Sequence, residues 1–292
     1  MAGPIVLSHI QTGAMLEARE HNQANLITTL DLGVSRAEVA LDSEGVAYQG
    51  TGLLDWDAIR TIVRQAPMCF LVEHGTAAKI HRFSETLNRP YSLMATTGWP
   101  TLVNSGFTMH RIVGIDPGQD TQEKIRALGT PRKIRALGTP RGRVLDTTTG
   151  LGYTAIAAAR QANEVITVEL DPLVLEIAGL NPWSRELFEN PRISRRIGDS
   201  SELIVEFPDR HFTQIIHDPP TLSLAGDLYG GAFYRQLFRV LIPGGTLFHY
   251  VGNPASRQGG MVAKGVIRRL HEAGFTKVAT RPRAFGVVAT RP

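Results

Sequence analysis

The chain of 292 residues contains one cysteine, Cys69. One thiol can neither close an internal disulfide nor build a thiolate metal cluster, so a reducing cytoplasm is the expected setting and no metal site is expected. Long apolar runs are missing as well. No stretch approaches the ~20 uncharged apolar residues of a membrane helix, which predicts no membrane partner. The opening MAGPIVLSHIQTGAMLEARE lacks a basic segment followed by an apolar core, so no secretory leader is expected. Lysine is scarce, at 5 of the 31 basic residues, the rest being arginine. Hydrophobic residues at 42% and charged residues at 20% exclude a mainly disordered chain.

The net charge of +4 is unevenly spread. Residues 1–115 are net −2 and residues 116–292 net +6; the last 36 residues carry 8 basic side chains against Glu272. Arginine offers a planar fork that suits phosphates and stacks on bases, so the basic half predicts a polyanionic partner as readily as a plain solvated surface.

Residues 1–115 read as an N-terminal β-rich α+β accessory domain. AEVALDSEGVAY (37–48) alternates around a Ser43–Glu44–Gly45 turn, which predicts a hairpin, and Asp55 is placed to cap the helix that follows. CFLVE (69–73), KIHRF (79–83), YSLMATT (91–97) and PTLVNS (100–105) read as short strands. From 116 to 292 helices and strands alternate, the signature of a parallel sheet with crossover helices. The strands VLDTT, EVITVEL, RISRRIG, TQIIHD and TLFHYVG are followed by a closing pair, FTKVAT and AFGVVAT. That count predicts an α/β fold: a Rossmann-like seven-stranded sheet with an antiparallel last hairpin. KIRALGTPR occurs at 124–132 and again at 133–141, adding Arg132, Lys133, Arg135 and Arg141 to the basic side; VATRP occurs at 278–282 and 288–292. Two copies of so short a unit do not make a solenoid.

The chemistry-bearing residues sit at strand ends. VLDTTTGLGYT (144–154) is a strand running into a glycine-rich turn that opens a helix, so backbone N–H groups can meet a ligand closely. Asp146 ends the first strand of the repeat, Glu169 the second and Asp199 the third, the rim where doubly wound sheets bind ligands. A dinucleotide turn would read G-x-G-x-x-G around a pyrophosphate. Here an acid stands at the turn instead, which suits a ligand carrying an ammonium. This pattern resembles the first motif of class I S-adenosylmethionine (SAM)-dependent methyltransferases, with Thr148 at the first glycine position. The resemblance implies SAM as cofactor, held by Asp146, Thr148, Gly150, Gly152, Tyr153, Glu169 and Asp199.

The fourth strand ends in Asp218-Pro219-Pro220. It resembles the (D/N/S)-PP-(Y/F) motif of amino-methyltransferases, with Thr221 at the aromatic position. An exocyclic amine delocalises its lone pair and is a poor nucleophile. Hydrogen bonds accepted by Asp218 and the Pro219 carbonyl would favour an sp3-like nitrogen, and the prolines would fix the acceptors in place. Thr221, Tyr229, Tyr234 and Tyr250, with Phe233 and Trp183, are the candidates for contact with the target; His217 reads as a space-filling strand residue. Further stretches, among them LNPWSREL (180–187), FYRQLFRVLIPGGTLFHYVGNP (233–254) and MHRI (109–112), resemble an archaeal-type, spermine-synthase-like methyltransferase family. That resemblance implies an N-methyltransferase acting on cytidine N4 of ribosomal RNA, to N4,N4-dimethylcytidine. The alternatives are a polyamine aminopropyltransferase of the same fold, an enzyme acting on a protein or small-molecule amine, and a binding module without catalysis.

Overall fold

A computed structural model describes residues 4–48, 52–129, 142–222 and 224–292. The second KIRALGTPR copy and the end of the first lie outside them, with Arg132, Lys133, Arg135 and Arg141. The chain divides into two compact units: Met1–Gly118 with Leu173–Arg185, and Gln119–Pro172 with Glu186–Pro292.

The first unit holds β1 (Ile5–Leu7), α1 (His9–Glu20), β2 (Asn25–Thr28), β3 (Ala37–Leu41), β4 (Gly45–Tyr48), β5 (Gly52–Asp55) and α2 (Trp56–Arg64). It continues with β6 (Phe70–Glu73), β7 (Thr76–Lys79), β8 (His81–Ser84), β9 (Arg89–Met94), β10 (Thr101–Asn104) and β11 (Phe107–Thr108). These strands form three small antiparallel sheets, β1–β6–β7, β2–β3–β4–β5 and β8–β9–β10–β11. The 37–48 hairpin forms, and the Asp55 side chain accepts from the Ala58 N–H at 2.7 Å as the cap of α2. KIHRF does not stay one strand. The chain leaves one sheet after Lys79, buries Ile80 completely, and enters another at His81. Leu173–Arg185 clusters with this unit through Trp183, whose ring stacks on Trp99 at 4.9 Å and whose Nε1 donates to the Leu32 carbonyl.

The second unit begins within α3 (Pro117–Leu128) and continues with β12 (Arg143–Asp146), α4 (Tyr153–Ala159), β13 (Glu164–Glu169) and the start of α5 (Pro172–Leu180). It resumes at α6 (Arg185–Glu189), then β14 (Ile193–Ile197), α7 (Ser200–Leu203), β15 (Phe212–His217), α8 (Gly231–Val240), β16 (Leu241–Tyr250), α9 (Arg257–Glu272), β17 (Thr276–Arg281) and β18 (Gly286–Thr290). The strand order is β14–β13–β12–β15–β16–β18–β17. The first five strands are parallel; β18 runs antiparallel between β16 and β17. This is the expected seven-stranded Rossmann-like sheet. Its core is continuous through Leu145, Ile215, Leu247, Phe212, Leu237, Leu270 and Val287. The order of strands reverses between β12 and β15, so the crevice for a ligand opens where those two strands end. No helix among the described residues is long and apolar enough to cross a membrane.

Candidate functional site

Four strand ends in the second unit carry the acids read from the sequence. Asp146 closes β12, Glu169 closes β13, Asp199 follows β14 and Asp218 follows β15. Parallel register sets the side-by-side placement: Asp146 pairs with Thr167 on one side and Ile216 on the other.

Asp146 is fully buried. Its Oδ2 accepts from the hydroxyls of Thr154 and Thr167, both at 3.1 Å, which ties the end of β12 to the first turn of α4 and to β13. Burial first, and then the negative charge of Asp218, push its carboxyl up to about 8; the hydrogen bonds oppose this. Asp146 is therefore mostly protonated at neutral pH. Glu169 is half-buried and grips the glycine turn: Oε2 accepts from the Gly150 N–H at 2.8 Å, and Oε1 from the Asp171 N–H at 3.2 Å. Burial raises it to about 7 against those hydrogen bonds.

The turn itself needs glycine. Gly150 has φ +54° and Gly152 φ +77°, and a Cβ on Gly152 would sit 2.6 Å from a Leu187 methyl. Thr148 holds a buried hydroxyl with no hydrogen-bond partner among the described residues. An unpaired buried hydroxyl costs free energy unless a ligand engages it, so it fits a polar ligand on the turn. Tyr153 is buried in the first turn of α4. Asp199 caps α7, accepting from the N–H and hydroxyl of Ser201, and Ser200 Oγ donates to the Thr147 carbonyl.

Asp218 is 16% exposed and does not stand alone. The Lys124 ammonium, from α3, lies 2.6 Å from Asp218 Oδ2 and 2.9 Å from Asp120 Oδ2, and 4.8 Å from the centroid of the Tyr250 ring. Burial alone would drive this ammonium toward neutrality. The Asp218 and Asp120 charges more than offset it, and Lys124 is held above the ordinary lysine range, protonated. Sequence reasoning missed both Lys124 and Asp120. Their i, i+4 spacing was the available signal, but such pairs ordinarily lie on a solvated helix face.

Behind the Pro-Pro turn lies a buried polar cluster. His217 Nδ1 meets the Thr147 hydroxyl at 2.7 Å and its Nε2 meets the Leu228 carbonyl at 2.9 Å, which fixes the neutral tautomer with Nε2 as donor. Tyr229 donates from its hydroxyl to the Pro220 carbonyl at 3.0 Å, anchoring the turn. Tyr234 OH meets His249 Nε2 at 2.7 Å. The candidates for target contact therefore separate. Tyr229, Tyr234 and Phe233 are buried with their rings in the core, Trp183 belongs to the other unit, Thr221 is exposed, and Tyr250 is half-buried beside Lys124.

No family model matches the chain. Among solved structures, a spermidine synthase crystallised with the transition-state analogue AdoDATO aligns with a TM-score of 0.59 at 16% identity, covering 75% of this chain and 78% of that one. The Thermotoga maritima spermidine synthase aligns at 0.57 and 17%, covering 75% and 76%. The fold is thus the spermidine-synthase form of the class I methyltransferase-like architecture. The uncharacterized protein MJ1233 of Methanocaldococcus jannaschii is 37% identical over 292 residues, 99% of this chain and 97% of its own length. The chain belongs to that protein's family. Shorter stretches are 30% identical to polyamine aminopropyltransferases of Mycobacterium tuberculosis (119 residues) and Sulfolobus acidocaldarius (112 residues), covering 39% and 36% of this chain. The chain spans 23% and 37% of the length of those two enzymes.

These findings overturn the expected reaction and partner, methylation of cytidine N4 in ribosomal RNA. The relatives with a named activity are named for polyamines, and the solved neighbours are spermidine synthases. The geometry supplies the physical reason. Tyr229, Tyr234 and Phe233, three of the expected target contacts, are buried and offer no open ring face to a flipped base.

Proposed function

We propose that the protein transfers an aminopropyl group from decarboxylated SAM to an amine of a polyamine, on the strand-end rim of its second unit. One observation carries this reading. Asp146, Glu169, Asp199 and Asp218 converge on the rim, with Asp120 beside Asp218, and the cation brought to them is the protein's own Lys124. Asp120 and Asp218 together outweigh the single charge of Lys124, and the negative charge left at the strand end favours a sulfonium donor and a polycationic acceptor over a nucleic acid. The aminopropyltransferases that share part of this sequence, and the spermidine synthases that share its fold, support the same choice.

Decarboxylated SAM supplies a sulfonium whose propyl carbon is open to a nucleophile. On the protein side, Gly150 and Gly152 bring backbone close to the donor, the Thr148 hydroxyl offers it a hydrogen bond, and Glu169 and Asp199 accept from its hydroxyl and amino groups. Asp218 accepts a hydrogen bond from the acceptor amine, and Pro219 and Pro220, braced by Tyr229, hold the carboxylate still. The amine reacts in its neutral form. A C–N bond forms as the C–S bond breaks, the electron pair leaves with sulfur as a thioether, and the new ammonium loses a proton to water. Asp218 stabilises the positive charge as it develops on nitrogen.

The test is incubation of the purified protein with decarboxylated SAM and putrescine, or with decarboxylated SAM and spermidine, followed by mass spectrometry. The expected product is the acceptor extended by one aminopropyl group, with methylthioadenosine released in equal amount. Absence of extended product from both acceptors overturns the reading.

A further inference from the structure

Lys124 has no part in the steps just given, yet its charge is buried in the second unit between two carboxylates. Its side chain is 2% exposed, and its ammonium is surrounded by two carboxylates and an aromatic face. Those are the groups that recognise an alkylammonium ion in general. Burying a cation this deeply is costly unless it is fully paired, so the pairing fixes the geometry of its partners as well. Asp120 is completely buried on the same helix and cannot move far. Asp218 follows the last residue of β15 and precedes two prolines, so it has little backbone freedom.

We propose that Lys124 is a positioning residue for the aminopropyl transfer inferred above: its ammonium fills a built alkylammonium seat formed by Asp120, Asp218 and Tyr250, and thereby holds the Asp218 carboxylate ionised and in one orientation toward the acceptor. This inference rests on the proposed function for its kinetic consequence, but the seat itself does not. With Lys124 in place, the proton between the two groups stays on nitrogen. Asp218 then meets the acceptor as a preset hydrogen-bond acceptor, with no need to reorganise as charge develops. The seat also sets a charge limit. Two carboxylates share one resident ammonium, so a single further positive charge balances the group.

The experiment uses the full chain with Lys124→Ala, which removes three methylene groups' length of stem and the ammonium, leaving a space the size of n-propylammonium. Calorimetric titration of that variant with n-propylammonium chloride is expected to show binding at millimolar concentration, with 1-propanol binding at least tenfold more weakly and the native protein binding propylammonium at least tenfold more weakly than the variant does. In turnover, Lys124→Ala is expected to lose at least tenfold in kcat while the affinity for methylthioadenosine stays within threefold. Added n-propylammonium is expected to restore kcat, with the product mass showing that the polyamine remains the acceptor; Lys124→Arg, which keeps the charge, is expected to retain more activity than Lys124→Ala. Equal binding of propylammonium and propanol, or a Lys124→Ala enzyme with native kcat, overturns the proposal. Should Lys124→Ala fail to fold, the double variant Lys124→Met/Asp120→Asn removes a buried charge together with one of its partners; native kcat in that variant overturns the proposal equally. A native protein without aminopropyl transfer overturns the reading of function, and the propylammonium titration then decides the seat by itself.

Discussion

Asp146→Asn is expected to make the protein more stable at neutral pH. A carboxyl that titrates near 3.8 in the unfolded chain and near 8 in the native one binds a proton in the native state throughout that interval. Stability therefore falls as pH rises from about 4 to about 8. At pH 7 the cost is on the order of 4 kcal/mol, at roughly 1.4 kcal/mol per pH unit. Asparagine cannot ionise, so it escapes this penalty, and its carbonyl can still accept from Thr154 and Thr167. Its NH2 group, however, is left in a buried place without an acceptor, at a cost of about 1–3 kcal/mol. The net gain is about 1–3 kcal/mol at pH 7, or several degrees in Tm at roughly 2–4 °C per kcal/mol. Thermal melts of both proteins at pH 5, 7 and 8.5 measure it. The gap should widen with pH. A variant that is less stable than the native protein at pH 8.5, or a gap that does not change with pH, refutes the reasoning.

Two further outcomes follow from buried titrating groups. His217 is pushed down to about 3 and His249 falls well below the ordinary histidine range, both chiefly by burial. Unfolding lets each take up a proton below pH 6.5, so each ring's contribution is full above that value and is lost as pH falls, by up to about 1.4 kcal/mol per unit. Asp146 and Glu169 slope the other way over the same interval, so the comparison is with His217→Gln in melts between pH 7 and 4: the native protein should lose stability relative to the variant as pH falls, and a constant difference counts against a neutral buried ring. Glu169, raised to about 7, accepts from donor hydroxyls best as a carboxylate. Methylthioadenosine affinity is therefore expected to weaken by up to tenfold per unit below pH 7 in calorimetry, with Glu169→Gln removing most of that dependence.

The five strand–helix repeats were legible because a parallel strand buried on both faces writes a continuous apolar run, as in EVITVEL, and because each run ends in an acid or a turn. The closing hairpin was legible from its place, a pair of strands after the fifth repeat, since β17 is largely exposed and β18 pairs antiparallel. α1 was not placed, because HIQTGAMLEARE has weak amphipathicity and its helix is declared by a cap, with Ser8 and Gln11 bonded to each other. Of the site, the strand-end acids and the glycine turn were readable from spacing. Lys124 was not, because only the tertiary fold turns an ordinary i, i+4 pair inward against a loop 94 residues away. Tyr234 reads in the sequence as a target contact; in the structure it stands three residues before Leu237 on the buried stripe of α8, with its hydroxyl absorbed by His249.

In the proposed reaction Asp218 handles the acceptor and not the donor. The most direct measurement of this role compares native protein with Asp218→Asn, following methylthioadenosine release from decarboxylated SAM with a polyamine present and, separately, methylthioadenosine binding. Turnover is expected to fall at least a hundredfold while nucleoside binding stays within threefold. Native-level release by Asp218→Asn, or a matching collapse of nucleoside binding, would contradict it.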